Sequence, residues 1–124
     1  MGLSIKLFVE KDGKYILGTG RIGLLKSIPQ LGSLRQAAQQ LGMSYRWAWG
    51  RLNTAETELG IPLLSRNVNT GKNRSMSLTP EGEAIVKWFE ETEREVNECL
   101  ARMEKQMPEP LKKALAKDSG ADGG

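Results

Sequence analysis

The stretch Gly32–Arg66, GSLRQAAQQLGMSYRWAWGRLNTAETELGIPLLSR, decides the fold. Ser33 stands where a helix cap accepts a backbone N–H, and Ala37, Ala38 and Leu41 form that helix's apolar stripe. Gly42 closes the helix in a left-handed turn, and Ser44 caps a second helix two residues later. Alanines at the crossing let the two helices pack closely and steeply, as a helix-turn-helix requires. Such a unit places its second helix in the major groove of DNA. The stretch therefore predicts sequence-specific DNA binding.

Outward from it, the chain alternates helix and hairpin signals. Leu3, Ile5, Leu7 and Val9 alternate with Ser4, Lys6, Phe8 and Glu10, which predicts a half-buried strand over 3–10. Asp12-Gly13 signals a turn, with Tyr15, Ile16 and Leu17 on the return strand. A helix from Gly20 to Gln30 would bury Ile22, Leu24, Leu25 and Ile28. Leu63 to Thr79 reads as a two-stranded hairpin with the polar tip NVNTGKNRS. Thr79 then caps a long helix that has Pro80 in its first turn and Glu81 and Glu83 at its positive end. Beyond Met107, two prolines and a closing SGADGG predict a flexible tail. The expected organisation is a DNA-binding domain over 1–79, a dimerisation helix over 80–107 and a tail over 108–124. It is a mainly α fold with small β-hairpins, a winged helix-turn-helix with a long C-terminal dimerisation helix.

Composition narrows the chemistry. The 124 residues contain no histidine and one cysteine, so no His/Cys zinc site, Ser-His-Asp triad or intrachain disulfide can form. No catalytic residue, metal or cofactor is expected, and the chain is not expected to be an enzyme. With no 18-residue apolar run and no signal peptide, a cytoplasmic location without a membrane partner is expected. Charge is unevenly placed. Residues 1–79 carry eleven Lys/Arg against four Asp/Glu, or +7, whereas residues 80–124 carry seven against eleven, or −4. A basic front half suits a polyanion such as double-stranded DNA on one side only.

The second helix of the motif resolves into faces at about 100° per residue. Ala48, Leu52, Ala55 and Leu59 share the core side, leaving Arg46, Gly50 and Asn53 opposite, with Trp47 and Trp49 on the flanks. Arg46 lies in the first turn, where it can grip guanine through two hydrogen bonds, and Asn53 has the amide geometry for adenine. Gly50 removes a side chain where a helix would approach DNA closely. Ser33, Ser44 and Tyr45 stand at helix N-termini, where phosphates bind. Trp49 is expected to pack against the first helix or the hairpin, and Trp47 to be exposed and touch the backbone. Arg66, Lys72 and Arg74 would meet phosphates or the minor groove from the hairpin.

In the long helix, Ile85, Phe89, Thr92, Val96, Cys99 and Met103 follow spacings of 4, 3, 4, 3 and 4, a coiled-coil seam. This predicts a homodimer, with Cys99 an unreactive thiol on the seam. A two-fold dimer would prefer a pseudo-palindrome with half-sites about one helical turn, or a multiple, apart.

These residues carry a family resemblance. GSLRQAAQQLGMSYRWAW resembles the DNA-binding domain of the ModE-type molybdate-responsive regulators, whose pattern is close to GSxxxAAxxxGxSYxxAW. GRIGLLKSI before it and SLTPEG after the hairpin also match, and ELGIPLLSR and LTPEG are shared with LysR-type winged helix-turn-helix domains. The resemblance implies a dimeric transcription regulator whose recognition helix begins at Ser44, Tyr45 and Arg46, with Lys72 and Arg74 on the wing. Members of that family also carry a C-terminal molybdate-binding module of small β-barrels. The present sequence ends after the long helix, so molybdate sensing is not expected of it, and a separate effector-sensing protein is the partner this leaves room for. The wing keeps Gly71-Lys72 of a glycine-rich family loop and loses most of the other glycines.

Two other functions fit the same fold. One is a protein-interaction adaptor anchored by Trp47 and Trp49 with weak or no DNA binding, against which the basic front half speaks. The other is a small-anion or metabolite site between the long helices and the wing, which no residue pattern marks.

Overall fold

A computed structural model describes residues 2–66 and 76–121. It divides into two compact units, Leu7–Glu90 and the pair of segments Met1–Lys6 and Glu91–Gly124.

The first unit opens with the antiparallel strands β1 (Phe8–Lys11) and β2 (Lys14–Gly18), joined at Asp12 and Gly13, whose φ angles are 52° and 79°. Positive φ at both central residues is the turn whose twist matches that of the flanking strands. Pairing runs from Lys11 opposite Lys14 back to Phe8 opposite Gly18, with a bulge between Val9 and Glu10. There it stops, because the chain enters helix α1 (Thr19–Leu31) directly after Gly18. The strand expected over 3–10 is therefore shorter at its start. Among the described residues no strand pairs with residues 3–7, and Ile5 is 62% exposed.

Helix α1 buries Ile22, Leu24, Leu25 and Ile28, the four residues its periodicity marked. Helix α2 (Leu34–Gln40) follows, capped by Ser33, whose Oγ accepts the Gln36 N–H at 3.0 Å. It buries Leu34, Ala37 and Ala38. Leu41, expected in that stripe, is instead 41% exposed, because the helix ends at Gln40 and Leu41 has left the helical conformation. Gly42 then turns at φ 73°, a conformation a side chain would strain. Helix α3 (Tyr45–Leu59) starts at the Ser44 cap, whose Oγ accepts the Trp47 N–H at 3.1 Å. Ala48, Leu52 and Ala55 are fully buried, and Leu59 packs on their edge.

Strands β3 (Leu64–Arg66) and β4 (Met76–Leu78) pair antiparallel as the base of the wing. Its tip, with the expected contacts Lys72 and Arg74, lies outside the described residues, as does the side chain of Arg66. Helix α4 (Pro80–Lys105) starts where Thr79 Oγ1 accepts the Gly82 N–H at 2.9 Å and donates to the Pro62 carbonyl at 2.7 Å. The core collects Ile16, Leu17, the α1 residues, Leu34, the buried alanines, Leu52, Leu63, Val86 and Phe89. Phe89, expected on a dimer seam, is 1% exposed and belongs to this core, with Ile85 packed beside it. The seam positions that continue down α4 are Thr92 and Val96, half-buried, and Cys99 and Met103, exposed.

In the second unit α4 runs on to Lys105, about 39 Å from its start at 1.5 Å per residue over 26 residues. Glu104 accepts the Leu3 N–H at 3.1 Å. Residues 109–121 then form helix α5 (Glu109–Ala121), where a flexible tail was expected. The prolines that suggested irregularity sit just before the helix and in its first turn, where no N–H is required of them. Pro108 supplies the carbonyl that accepts the first helical N–H groups, those of Leu111 and Lys112, both at 3.0 Å.

Candidate nucleic-acid interface

Helix α3 is held in place from three sides. Its core stripe packs on α1, α2 and β2, and its last turn is fastened to the wing by Glu56. One carboxylate oxygen of Glu56 accepts the N–H of Leu63 at 2.7 Å and of Leu64 at 3.0 Å. These amides lie at the entry to β3, where pairing with β4 begins, and the acid satisfies both. The Met76 N–H reaches the Gly32 carbonyl in the turn between α1 and α2 at 3.3 Å. Hydrogen bonds thus tie one strand of the wing base to α3 and the other to the α1–α2 turn. The sequence reading missed Glu56, and only the proximity of an acidic residue to the ELGIPLL turn hinted at it.

The face that remains open is the one the periodicity marked. Arg46 and Asn53 are exposed and Gly50 is half-buried between them. A Cβ built on Gly50 meets nothing within 4 Å. No internal contact therefore requires glycine there, although a mid-helix glycine is less favourable than alanine by about 1 kcal/mol. Its missing side chain matters only to something approaching from outside.

Aromatic rings frame this face. Tyr45 is exposed, Trp47 is 46% exposed and Trp49 is 42% exposed. Trp49 was expected to be packed away. It lies about 90° around α3 from the core stripe, over a shallow depression lined with Leu34, Leu52, Asn53, Glu56 and Leu64, and one side of the indole stays open.

Cations gather around the rings. The Arg35 guanidinium lies over the Tyr45 ring at 4.2 Å from its centroid, and Arg51 lies 5.5 Å over Trp47. Arg21, on α1, lies 4.4 Å over Tyr15 and donates to the Ile16 carbonyl at 2.7 Å. Burial holds the Arg21 guanidinium below its ordinary value; the nearby Tyr15 acts against this, and the Arg51 charge acts with it. Among the described residues, none of Arg21, Arg35, Arg46 and Arg51 forms an ion pair with a carboxylate. Ser33 and Ser44, expected at phosphates, use their oxygens as caps and keep their hydroxyl protons for a further acceptor. The described residues contain no group of acidic or cysteine side chains placed to hold a metal.

Two helices crossing through small alanines, the second carrying an open face and followed by a β-hairpin braced against it, define a winged helix-turn-helix protein. Comparison with known families agrees. The chain belongs to the bacterial regulatory helix-turn-helix proteins of the lysR family, whose model matches residues 21–83. It is similar to the transcriptional regulator ModE of Haemophilus influenzae, with 35% identity over 90 residues, 73% of this chain and 35% of that protein. It is also similar to the molybdenum-pterin-binding protein MopB of Rhodobacter capsulatus, with 29% identity over 91 residues, 73% of this chain and 34% of that protein. The chain thus spans about a third of the length of these relatives. Among solved structures, the BenM DBD in complex with catB site 1 DNA aligns with a TM-score of 0.54 at 20% identity, over 68% of this chain and 89% of that one. That likeness is one of fold.

Proposed function

We propose that the chain is a sequence-specific DNA-binding transcriptional regulator that acts as a homodimer. Its recognition helix α3 enters the major groove, and the wing lies on the backbone or in the minor groove. The observation that carries the reading is the open face of α3. It combines Arg46, a glycine no internal contact requires, and Asn53, beside arginines that have no carboxylate partner. An α-helix is about as wide as the major groove, and arginine and asparagine are the side chains that pair with guanine and adenine edges. Relatives named as transcriptional regulators and a DNA complex of the same fold support it.

The dimer reading rests on α4. Thr92, Val96, Cys99 and Met103 continue the 3–4 spacing beyond the part of the helix that the core covers. A second copy would align two recognition helices on a two-fold symmetric site. No described helix is long and apolar enough to cross a membrane.

The test is selection of preferred duplexes from a random DNA pool at near-physiological salt. The expected result is a two-fold symmetric motif. Arg46→Ala should then relax the preference at one base pair of each half-site by about 1–3 kcal/mol. Absence of any enriched motif refutes sequence-specific regulation. The exposed Trp47 and Trp49 favour a second reading, a protein-docking surface, which gains if the protein binds no DNA at all.

A further inference from the structure

We infer that Arg35 and Arg51 form a pair of phosphate clamps, one on each flank of α3, each guanidinium lying over an aromatic ring of that helix. The inference rests on the DNA-binding reading and adds to it two residues that the sequence did not mark.

Tyr45 and Trp47 are two residues apart, so their side chains leave α3 on roughly opposite sides, about 200° around its axis. Tyr45 carries Arg35, reaching across from α2, and Trp47 carries Arg51, one turn further along α3 on the same flank. The open face with Arg46, Gly50 and Asn53 lies between the two flanks. A helix about 10–12 Å wide fills a major groove about 12 Å wide, so residues on its flanks confront the two phosphate walls while those between confront base edges.

A cation over a ring suits this task. The ring engages the guanidinium without taking up its N–H donors, and a guanidinium can offer two of them to phosphate oxygens at once. The ring also removes rotational freedom before DNA arrives, so less is lost on binding. Both arginines lack a carboxylate partner among the described residues, so no internal ion pair must break first. The Arg51 Nε is buried without a hydrogen-bond partner, so the protein itself leaves this guanidinium with an unmet donor. The neighbouring Arg21 charge makes the Arg51 flank attractive to an anion. Two clamps straddling the helix would fix its depth and tilt in the groove, and so its register on the bases, without reading sequence themselves.

The experiment is fluorescence anisotropy of the full chain with a selected duplex and an unrelated duplex of equal length, over a series of KCl concentrations. R35Q, R51Q, R35K, R51K and the double glutamine variant are compared, each checked for an unchanged circular-dichroism melt. Each glutamine variant should flatten the slope of log K against log salt by about 0.9, and the double variant by about 1.8, on both duplexes alike. Each lysine variant should keep the slope, because the charge remains, yet bind several-fold more weakly, because the planar two-donor fork is gone. Unchanged slopes in the glutamine variants, or lysine variants that bind as tightly as wild type, overturn the clamps while leaving DNA binding intact. Failure of the wild-type chain to bind either duplex overturns both readings together.

Discussion

Replacing Gly50 with alanine should move stability and DNA affinity in opposite directions, which makes it a sharp test of the interface. Beyond its own helical turn, the new Cβ meets nothing within 4 Å, so the fold absorbs no strain. Gly50 lies in the middle of the 15-residue α3, flanked by complete helical turns. The full helix-propensity gain of about 0.8–1.0 kcal/mol should therefore appear as added stability. In a single domain of about 100 residues, that raises the melting temperature by roughly 4–8 °C. On DNA the same methyl group stands between Arg46 and Asn53, where the helix would fill the groove. Forcing a carbon into a well-packed contact costs about 1–3 kcal/mol. That corresponds to about 5- to 150-fold weaker binding, since each 1.4 kcal/mol is tenfold. Urea unfolding followed by circular dichroism gives the first quantity, and anisotropy with the selected duplex gives the second. A stabilised variant that binds as tightly as wild type would show that this face does not meet DNA. A destabilised variant would show that the space around Gly50 is not open.

Gly82, also in a helix, should respond in the opposite sense. A Cβ there would stand 2.5 Å from the Leu63 carbonyl oxygen, which is itself held by the Thr79 N–H at 3.0 Å and cannot easily move. Gly82→Ala should destabilise by about 1–3 kcal/mol in urea unfolding. Glu56→Ala leaves the amides of Leu63 and Leu64 without their acceptor and should cost about 2–4 kcal/mol, with faster hydrogen exchange at those two amides as the specific sign. Phe89→Ala should destabilise the subunit by about 3–5 kcal/mol whatever the protein concentration, because the ring fills its own core. In the proposed homodimer, Val96→Glu should leave the melt at low concentration unchanged and shift sedimentation to the monomer; a variant that stays dimeric would remove α4 from the proposed interface.

Features of this chain that depend only on neighbours in sequence were legible from it. The Ser33 and Ser44 caps, the Asp12-Gly13 turn and the buried stripes of α1 and α3 each follow from local hydrogen bonding or helical periodicity. Leu41 and the segment after Met107 were misread for local reasons, the exact end of α2 and the placing of two prolines at a helix start, whereas other readings failed for want of what lies opposite. The alternation from Leu3 to Val9 is a strand signal throughout, yet among the described residues of this segment pairing is confined to residues 8–11, because β2 ends where α1 begins. Phe89 fits a dimer seam and a domain core equally, since both ask for apolar residues three and four apart. Burial in the first unit decided between them.

The sequence by itself determined that this is a helix-turn-helix, where its two helices start, and which face of α3 is left over, because caps and periodicity are properties of a few consecutive residues. The tertiary structure alone decided what surrounds that face. Glu56 binding the strand amides, Arg35 crossing from α2 to the Tyr45 ring, and Trp49 left open at the edge of the α2–α3 packing are contacts between elements. Their geometry depends on how helices cross and how much space their small residues leave, which no single segment of the chain encodes.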